Sequence, residues 1–293
     1  MNLPSFAKVN LHLRVLGRRE DGYHDLFTVF QTVSLFDELV IERAGDEITL
    51  ECDDPAVPTD GSNLIVKAAE RLRAEFGVTE GARITLQKRI PMGGGLGGGS
   101  SNAAAALIGL SRIWGIDAAP DELRRIGSEL GSDVPFFLEG GTALGMGRGT
   151  EIEPFTDFEA EWMLIVTPDV HVSTAMAYAG LGAENLTNEA SNRILRVCRS
   201  EAESPDFLYT AATNDFETTV FAKHPEIRRV KQTLNELGAA RAMMSGSGAS
   251  VFAIFDKEET RQTAMKALDN EVNWRKFAVA AVSRNAYREK VGL

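Results

Sequence analysis

The chain has 293 residues, of which 44% are hydrophobic and 25% are charged, a composition typical of a globular protein with an ample core. Its 31 basic and 42 acidic residues give a net charge of −11, which argues against broad binding to nucleic acid or to an anionic membrane surface. No apolar run approaches a membrane span, and the N-terminal stretch MNLPSFAKVN lacks the pattern of a signal peptide. We therefore expect a cytoplasmic enzyme. A small anionic substrate is compatible with this charge because it needs only a local positive site.

The first part of the chain is predicted to be rich in β-strands. Residues 5–16 (SFAKVNLHLRVL) alternate with period two, which is typical of a strand. This alternation predicts one face formed by Ala7, Val9, Leu11, Leu13 and Val15, and an opposite face carrying Lys8, Asn10 and His12. Further strands are predicted over 26–41, 47–52 and 83–88, and helices over 63–76 and 121–130.

The composition changes near the middle of the chain, where residues 154–161 (PFTDFEAE) are acidic and turn-prone. Beyond this stretch, strands are predicted over 162–167, 250–255 and 277–282, and helices over 217–237 and 257–269. Periodicity alone therefore indicates strands interleaved with helices in both halves.

A glycine-rich loop is the most informative segment. PMGGGLGGGSSNAAAALIGL (91–110) has six glycines among residues 93–99, directly before an alanine-rich helix. Ordering glycine is entropically costly, whereas a helix N-terminus offers N–H groups and partial positive charge to a phosphate. The loop lacks the GK[ST] ending of a Walker A loop and the context of a dinucleotide fingerprint. It predicts a phosphate-binding loop of a third kind, with a flexible linker as the alternative.

A second glycine-serine segment, MSGSGAS (244–250), precedes the apolar strand SVFAIF. Its backbone N–H groups could face an anion, and a plain turn between strands is the alternative.

A single carboxylate, Asp133, lies among apolar residues in GSDVPFF (131–137). Partial desolvation would disfavour its charged form unless a cation lay nearby, and Lys8 is the candidate cation. The alternatives are a helix cap for Asp133 and a solvated surface position for Lys8.

Together, and in this order, AKVNLHL, DGYHDL, PMGGGLGGGSSNAAAAL, GSDVPFF and SGSGASVFAIF resemble the motifs of the GHMP kinase superfamily of small-molecule kinases. The resemblance covers nearly the whole chain. It implies an α+β, two-domain GHMP kinase fold, with an N-terminal ATP-binding domain over 1–157, a C-terminal domain over 158–293 and the active site in the inter-domain cleft. It also implies that ATP, with Mg²⁺, donates a phosphoryl group to an alcohol.

The resemblance assigns roles residue by residue. Lys8 and Asp133 match the catalytic pair. The positions that match the ATP site are Asn63, Pro91, Met92, Gly93, Gly94, Gly95, Leu96, Gly97, Gly98, Gly99, Ser100 and Ser101. Asn63 also reads as a helix cap, and either Ser100 or Ser101 could reach a phosphate oxygen or the metal.

The pattern K-V-N-L-H-L, followed by R-x-D-G-Y-H, is most similar to family members that phosphorylate the 2-hydroxyl of a cytidine-diphosphate-linked methylerythritol. In this reading Asn10 contacts the substrate and His24 reads the cytosine edge. Tyr23 and Tyr178 would sandwich the base, although phenylalanine is commoner at the latter position. Thr174 would contact the diphosphate or the sugar.

Two other functions remain open at the level of sequence. One is a different GHMP activity, such as mevalonate or homoserine phosphorylation, although those acceptors carry no base for Tyr23 and Tyr178 to stack on. The other is a catalytically silent nucleotide-binding regulator, which the presence of both Lys8 and Asp133 disfavours.

Overall fold

Two β-sheets organise the chain, whose computed structural model describes residues 1–19, 22–181, 188–204, 207 and 211–293. Glu20 and Asp21, part of the R-x-D-G-Y-H pattern, lie outside the described residues. The first sheet contains β1 (Asn2–Arg18), β2 (His24–Ala44), β3 (Ile48–Cys52), β4 (Gly81–Gln87), β5 (Thr142–Gly147) and β6 (Glu151–Pro154). The second contains β7 (Met163–Pro168), β8 (Arg241–Met244), β9 (Val251–Ile254) and β10 (Trp274–Val279).

The described helices surround these sheets. In the first half they are α1 (Leu64–Phe76), α2 (Gly98–Trp114), α3 (Pro120–Leu130) and α4 (Val134–Phe137). In the second half they are α5 (Thr174–Ala179), α6 (Asn188–Ala202), α7 (Phe216–Lys223), α8 (Pro225–Glu236), α9 (Glu258–Ala267), a 3₁₀ turn (Leu268–Asn270) and α10 (Arg284–Val291). The α+β class is thereby confirmed, with strands and helices in both halves.

The predicted helix over 217–237 is two helices, α7 and α8. Pro225 cannot donate a backbone hydrogen bond and disfavours helical geometry in the residue before it. His224 accordingly has φ −127° and ψ 77°, which ends α7. Pro225 then occupies the first turn of α8, where its missing N–H costs nothing.

Strand β2 is the centre of the first sheet and pairs with β1 in antiparallel fashion along most of its length. The start of β2 also pairs with β5 and its end with β4, while β3 adds to β4 in parallel. The second sheet is antiparallel throughout, in the order β10-β7-β9-β8.

The predicted division of the faces of β1 holds as far as Leu11 and is wrong from His12 onward. The register shifts between Asn10 and His12, which is the signature of a β-bulge. Because one extra residue exchanges the two faces of a strand, His12 turns into the core beside Phe27 and Phe207. Leu13 turns instead toward the cavity that Lys8 and Asn10 line.

The two sheets are joined by a shared apolar layer. Ala7, Val9 and Leu11 of β1 belong to the same buried cluster as Ile165 of β7 and Phe252 of β9. Helices α1 and α2 cover the first sheet in a second cluster, and α7 and α8 cover the second sheet in a third. Strand β1 therefore carries Lys8 along the boundary between the two halves.

We propose that the boundary between the two domains lies near residue 157. All strands of the first sheet precede this position, and all strands of the second sheet follow it. The C-terminal helix α10 does not follow this division. Its Tyr287 and Val291 pack in the core of the first half, and the Tyr287 hydroxyl donates to the backbone oxygen of Phe137. The last helix thus ties the C-terminal segment to the N-terminal sheet.

Candidate active site

A cavity of about 940 Å³ lies between the two halves. Its lining includes all the predicted catalytic and acceptor-binding residues: Lys8, Asn10, Tyr23, His24, Asp133, Thr174 and Tyr178. Residues that are far apart in the sequence are therefore brought to one cleft.

Lys8 and Asp133 form an ion pair in the wall of this cavity, with 3.4 Å between Lys8 Nζ and Asp133 Oδ2. Lys8 is 3% exposed, whereas the Asp133 side chain keeps 31% of its surface accessible. The ammonium is thus held within the protein while the carboxylate can still meet a substrate hydroxyl.

Strand pairing fixes the direction of the Lys8 side chain. Its Nζ donates to Asn10 Oδ1 at 2.7 Å, and the amide of Asn10 donates to Thr28 Oγ1 at 2.7 Å. Thr28 in turn donates to the backbone oxygen of His12 at 2.7 Å. Because the Asn10 NH2 group is bonded to Thr28, the Asn10 oxygen faces the Lys8 ammonium and holds it in position.

Asp133 precedes α4 but does not cap it, because its side chain makes no capping hydrogen bond. The turn at residues 132–133, just before α4, instead leaves the carboxylate directed at Lys8. The alternative of a simple helix cap is therefore wrong, and the alternative of a solvated surface lysine is wrong for Lys8.

The glycine loop is held by its carbonyl groups. The oxygens of Gly94, Gly95 and Leu96 accept hydrogen bonds from Ser250 N (3.1 Å), Ser245 Oγ (2.9 Å) and Lys8 N (3.0 Å), respectively. In a trans peptide the C=O and N–H groups point in opposite directions. The following N–H groups, of residues 95–97, are thereby turned away from these protein contacts.

Positive φ angles recur at every second residue of the loop, at 66° for Gly93, 73° for Gly95 and 70° for Gly97. An alternation of this kind is typical of backbone nests that bind anions. A Cβ on Gly95 would lie 2.1 Å from the oxygen of Ser245, and one on Gly97 would lie 2.9 Å from the ring of Phe137. The second glycine-serine segment is therefore packed directly against the first.

A second cavity of about 410 Å³ lies on the other side of the loop. It is lined by every predicted ATP residue except Ser101: Asn63, Pro91, Met92, Gly93, Gly94, Gly95, Leu96, Gly97, Gly98, Gly99 and Ser100. The two cavities share Gly93, Gly95, Gly97 and Ser100. A nucleotide base and its phosphates could thus lie on either side of the loop.

Two predicted ATP residues also have structural roles. Asn63 caps α1 through Ile65 N at 2.9 Å and donates to the oxygen of Pro58 at 2.6 Å. Ser101 is 1% exposed and accepts a hydrogen bond from the Ser5 hydroxyl at 2.8 Å, whereas Ser100 lines both cavities. Of the two serines, Ser100 is placed to meet a phosphate or a metal ion.

Aromatic rings gather at the outer end of the larger cavity. His24 stacks on Tyr178 with 4.7 Å between ring centroids, and Arg148 lies 4.6 Å from the ring centre of Tyr23. Burial, followed by the charge of Arg18, lowers the pKa of His24, so its imidazole is neutral at pH 7. Burial, followed by the charge of Asp133, raises the pKa of Tyr178 to about 12.

Sequence reasoning missed several residues of this site. Arg18 and Arg148 line the larger cavity and supply positive charge. The Asn214 amide donates to the oxygens of Met244 and Gly246 at 2.8 Å each and so holds the second glycine segment. No motif marks these positions, because their roles depend on contacts made across the chain.

Within the described ranges, no cluster of three or more His, Cys, Asp or Glu side chains has the geometry of a metal site. The helices of the same ranges are all too short or too polar to cross a bilayer.

Two family models match parts of the chain. The family "GHMP kinases N terminal domain" matches residues 63–141, and "GHMP kinases C terminal" matches residues 196–273. A 4-diphosphocytidyl-2-C-methyl-D-erythritol kinase of Solibacter usitatus is 41% identical over 98% of this chain and 90% of its own length.

Solved structures of kinases also match nearly the whole chain. A crystal structure of 4-(cytidine 5'-diphospho)-2C-methyl-D-erythritol kinase superposes with a TM-score of 0.77 at 33% identity, covering 96% of this chain and 99% of its own. A mevalonate kinase structure matches with a TM-score of 0.69 at 16% identity over 97% and 99% of the two chains, which is evidence for the fold alone.

Proposed function

The chain belongs to the 4-diphosphocytidyl-2-C-methyl-D-erythritol kinases of the GHMP kinase superfamily, and from this premise we propose how its own residues carry the reaction. It is an ATP-dependent kinase of non-mevalonate isoprenoid precursor synthesis that phosphorylates the 2-hydroxyl of 4-diphosphocytidyl-2-C-methyl-D-erythritol. A cytoplasmic location remains a prediction.

One observation carries the assignment of the catalytic residues. The Lys8–Asp133 pair lies in the cavity that borders the glycine loop, and the backbone N–H of Lys8 is bonded to that loop. A phosphoryl donor on the loop and an acceptor in the cavity would therefore meet beside this pair. Positioning of this kind accounts for much of the rate enhancement in phosphoryl transfer.

The proton of the acceptor hydroxyl leaves late in this mechanism. A carboxylate is a far weaker base than an alkoxide, so complete deprotonation of the hydroxyl before phosphoryl transfer is strongly disfavoured. A loose transition state does not need an early alkoxide. Asp133 orients the hydroxyl and accepts its proton as the new O–P bond forms and the bond from the γ-phosphorus to the β-phosphate oxygen breaks, which leaves ADP. Lys8 stabilises the carboxylate and the charge on the moving phosphoryl group.

We propose that the triphosphate is held by the N–H groups of the glycine loop and by Ser100. Magnesium would bind through the substrate phosphates and one or two protein oxygens, and the Ser100 hydroxyl is an oxygen of this kind in the larger cavity. The bound ion would neutralise charge on the phosphates.

For the acceptor, we propose that His24, Tyr23 and Tyr178 bind cytosine. The stacked rings of His24 and Tyr178 then part or shift to admit the base, and a neutral imidazole can both donate to and accept from its edge. Asn10 and Thr174 contact the remainder of the acceptor, and Arg18 and Arg148 offset the charge of its diphosphate.

A steady-state assay with ATP and three acceptors tests this function. We expect rapid ATP consumption with 4-diphosphocytidyl-2-C-methyl-D-erythritol and little with mevalonate or homoserine. Faster turnover of either of those two would contradict the assignment of the acceptor. Absence of turnover with all three, together with ATP binding, would favour a silent regulator.

A further inference from the structure

A buried carboxylate lies beneath the glycine loop, outside the set of residues used above. Asp37 of β2 is 0% exposed and lines neither of the two cavities. It therefore does not touch the substrates, and its charge must be balanced within the protein.

The groups that balance this charge flank both ends of the loop. Asp37 Oδ1 accepts from the backbone N–H groups of Arg89 at 2.7 Å and Ile90 at 2.8 Å, immediately before the loop. Its Oδ2 accepts from the side-chain amide of Asn102 at 2.9 Å, in α2 immediately after the loop, and from Lys88 Nζ at 2.5 Å. A carboxylate offers about four acceptor positions, and these four donors use them all.

The same network continues behind the loop. The Asn102 amide also donates to Ser5 Oγ at 2.8 Å, and the Ser5 hydroxyl donates to Ser101 Oγ at 2.8 Å. The exit of the loop into α2 is thus fixed to β1, the strand that carries Lys8.

We propose that Asp37 is a positioning residue that fixes both ends of the glycine loop and so orders the loop before the nucleotide arrives. Ordering a glycine-rich segment on binding would cost conformational entropy, and fixing its ends in advance reduces that cost. The inference rests on the proposed function only for the ligand of the loop, which is ATP.

The variant Asp37→Asn probes this role with little change of volume. Its amide would present a donor where all four neighbouring groups are donors, so one end of the loop loses its acceptor whichever way the amide is turned. Asn102→Ala is the second variant, because it releases only the end of the loop that leads into α2.

Glu139→Gln is the matched control. Glu139 is also buried, at 5% exposed, and it pairs with Arg124 at 3.3 Å and with Arg284 at 3.1 Å, away from the loop. It reports the effect of neutralising a buried carboxylate in the same half of the molecule.

The test combines hydrogen–deuterium exchange over residues 91–100, without nucleotide, with KM values for ATP and for the acceptor. In D37N we expect loop exchange and the KM for ATP to rise about tenfold or more, and the KM for the acceptor to stay within about twofold. N102A should show a smaller rise in the same two quantities, and it carries the test if D37N does not fold. E139Q should change neither.

Loop exchange within about twofold of the unmodified protein in folded D37N, or in N102A where D37N does not fold, would overturn the inference, as would an equal rise in E139Q. If ATP is not the ligand of the loop, the result is different, because ATP would then not slow hydrogen–deuterium exchange of the loop in the unmodified protein. The exchange of the loop without nucleotide, compared between the variants and the unmodified protein, would still decide the role of Asp37.

Discussion

Lys8 shows how a single side chain acquires its role from its neighbours. A buried ammonium is costly unless it is paired, and here Asn10 and Asp133 both contact it. The accessible surface left on Asp133 is what separates this pair from a purely structural ion pair.

Replacing Asp133 by Asn should therefore impair chemistry more than binding. We expect kcat to fall by about 10²- to 10⁴-fold, with both KM values within about threefold, because the amide can orient a hydroxyl but cannot accept its proton. Asp121→Asn is the control, since that carboxylate is 92% exposed and lies outside both cavities. Retention of most of the turnover in D133N would contradict the proposed role.

His12 is buried by the β-bulge, and this has a consequence for stability. Burial, followed by the charge of Arg14, lowers its pKa from 6.5 to about 4, while its Nδ1 accepts from Thr213 N at 3.0 Å. Between these two pH values the unfolded chain binds the proton and the folded chain does not, so the free energy of unfolding decreases as the pH falls.

We expect this group to remove about 3 kcal/mol of stability between pH 7 and pH 4. His12→Asn keeps an acceptor for Thr213 but does not titrate, so its stability should fall less steeply over the same range. Urea unfolding at a series of pH values measures both slopes. Equal slopes would show that His12 does not titrate in this way.

The sequence predicted the catalytic pair through its resemblance to a family, but not the surroundings of that pair. The alternation of residues 5–16 could not reveal the bulge, because a bulge is defined by the partner strand. The role of Asp37 could not be predicted either, since its side-chain donors are 51 and 65 residues further along the chain.

At the scale of elements, the glycine loop depends on a close approach between two segments. Gly95 combines a positive φ with a position where a Cβ would collide with the backbone of Ser245. Neither feature can be relieved by a side-chain rotation, so an alanine must displace one segment from the other.

Gly95→Ala should raise the KM for ATP about tenfold or more, because the displaced loop no longer presents its N–H groups together. Gly77→Ala is the matched control: Gly77 has φ 64° at the end of α1, but its Cβ would meet nothing within 4 Å. It should cost about 1–2 kcal/mol of stability and leave the KM for ATP unchanged. Equal effects on that KM in both variants would contradict this account of the loop.

Local patterns predicted most elements well, but not how they pair. The helix over 63–76 and its end at Gly77 follow from apolar spacing and a left-handed glycine, and α1 confirms them. Pro225 could have predicted the break between α7 and α8, but the helical pattern on both sides of it favours a single helix. The order of strands around β2 could not be predicted from local patterns, because strand pairing depends on distant segments.

At the scale of the whole molecule, the last helix joins the two ends of the chain. Tyr287 is 2% exposed, packs 5.6 Å from the ring of Phe6 and lies against Gly140. The composition change near residue 157 gave no sign of this return, because it is a tertiary contact.

Tyr287→Ala should lower the free energy of unfolding by about 3–5 kcal/mol, since it removes a buried aromatic side chain from the core of the first half. Val272→Ala, at a side chain 89% exposed, should change it by less than about 0.5 kcal/mol. Denaturant unfolding followed by circular dichroism measures both. A loss below about 1 kcal/mol in Y287A would mean that α10 contributes little to the core.

The most direct test of the proposed active site is a crystal structure with a non-hydrolysable ATP analogue and 4-diphosphocytidyl-2-C-methyl-D-erythritol bound together. We expect a triphosphate bound by the N–H groups of residues 93–101, with its terminal phosphate facing an acceptor 2-hydroxyl that contacts Asp133 beside Lys8. A triphosphate bound elsewhere, or a 2-hydroxyl remote from both side chains, would contradict this expectation.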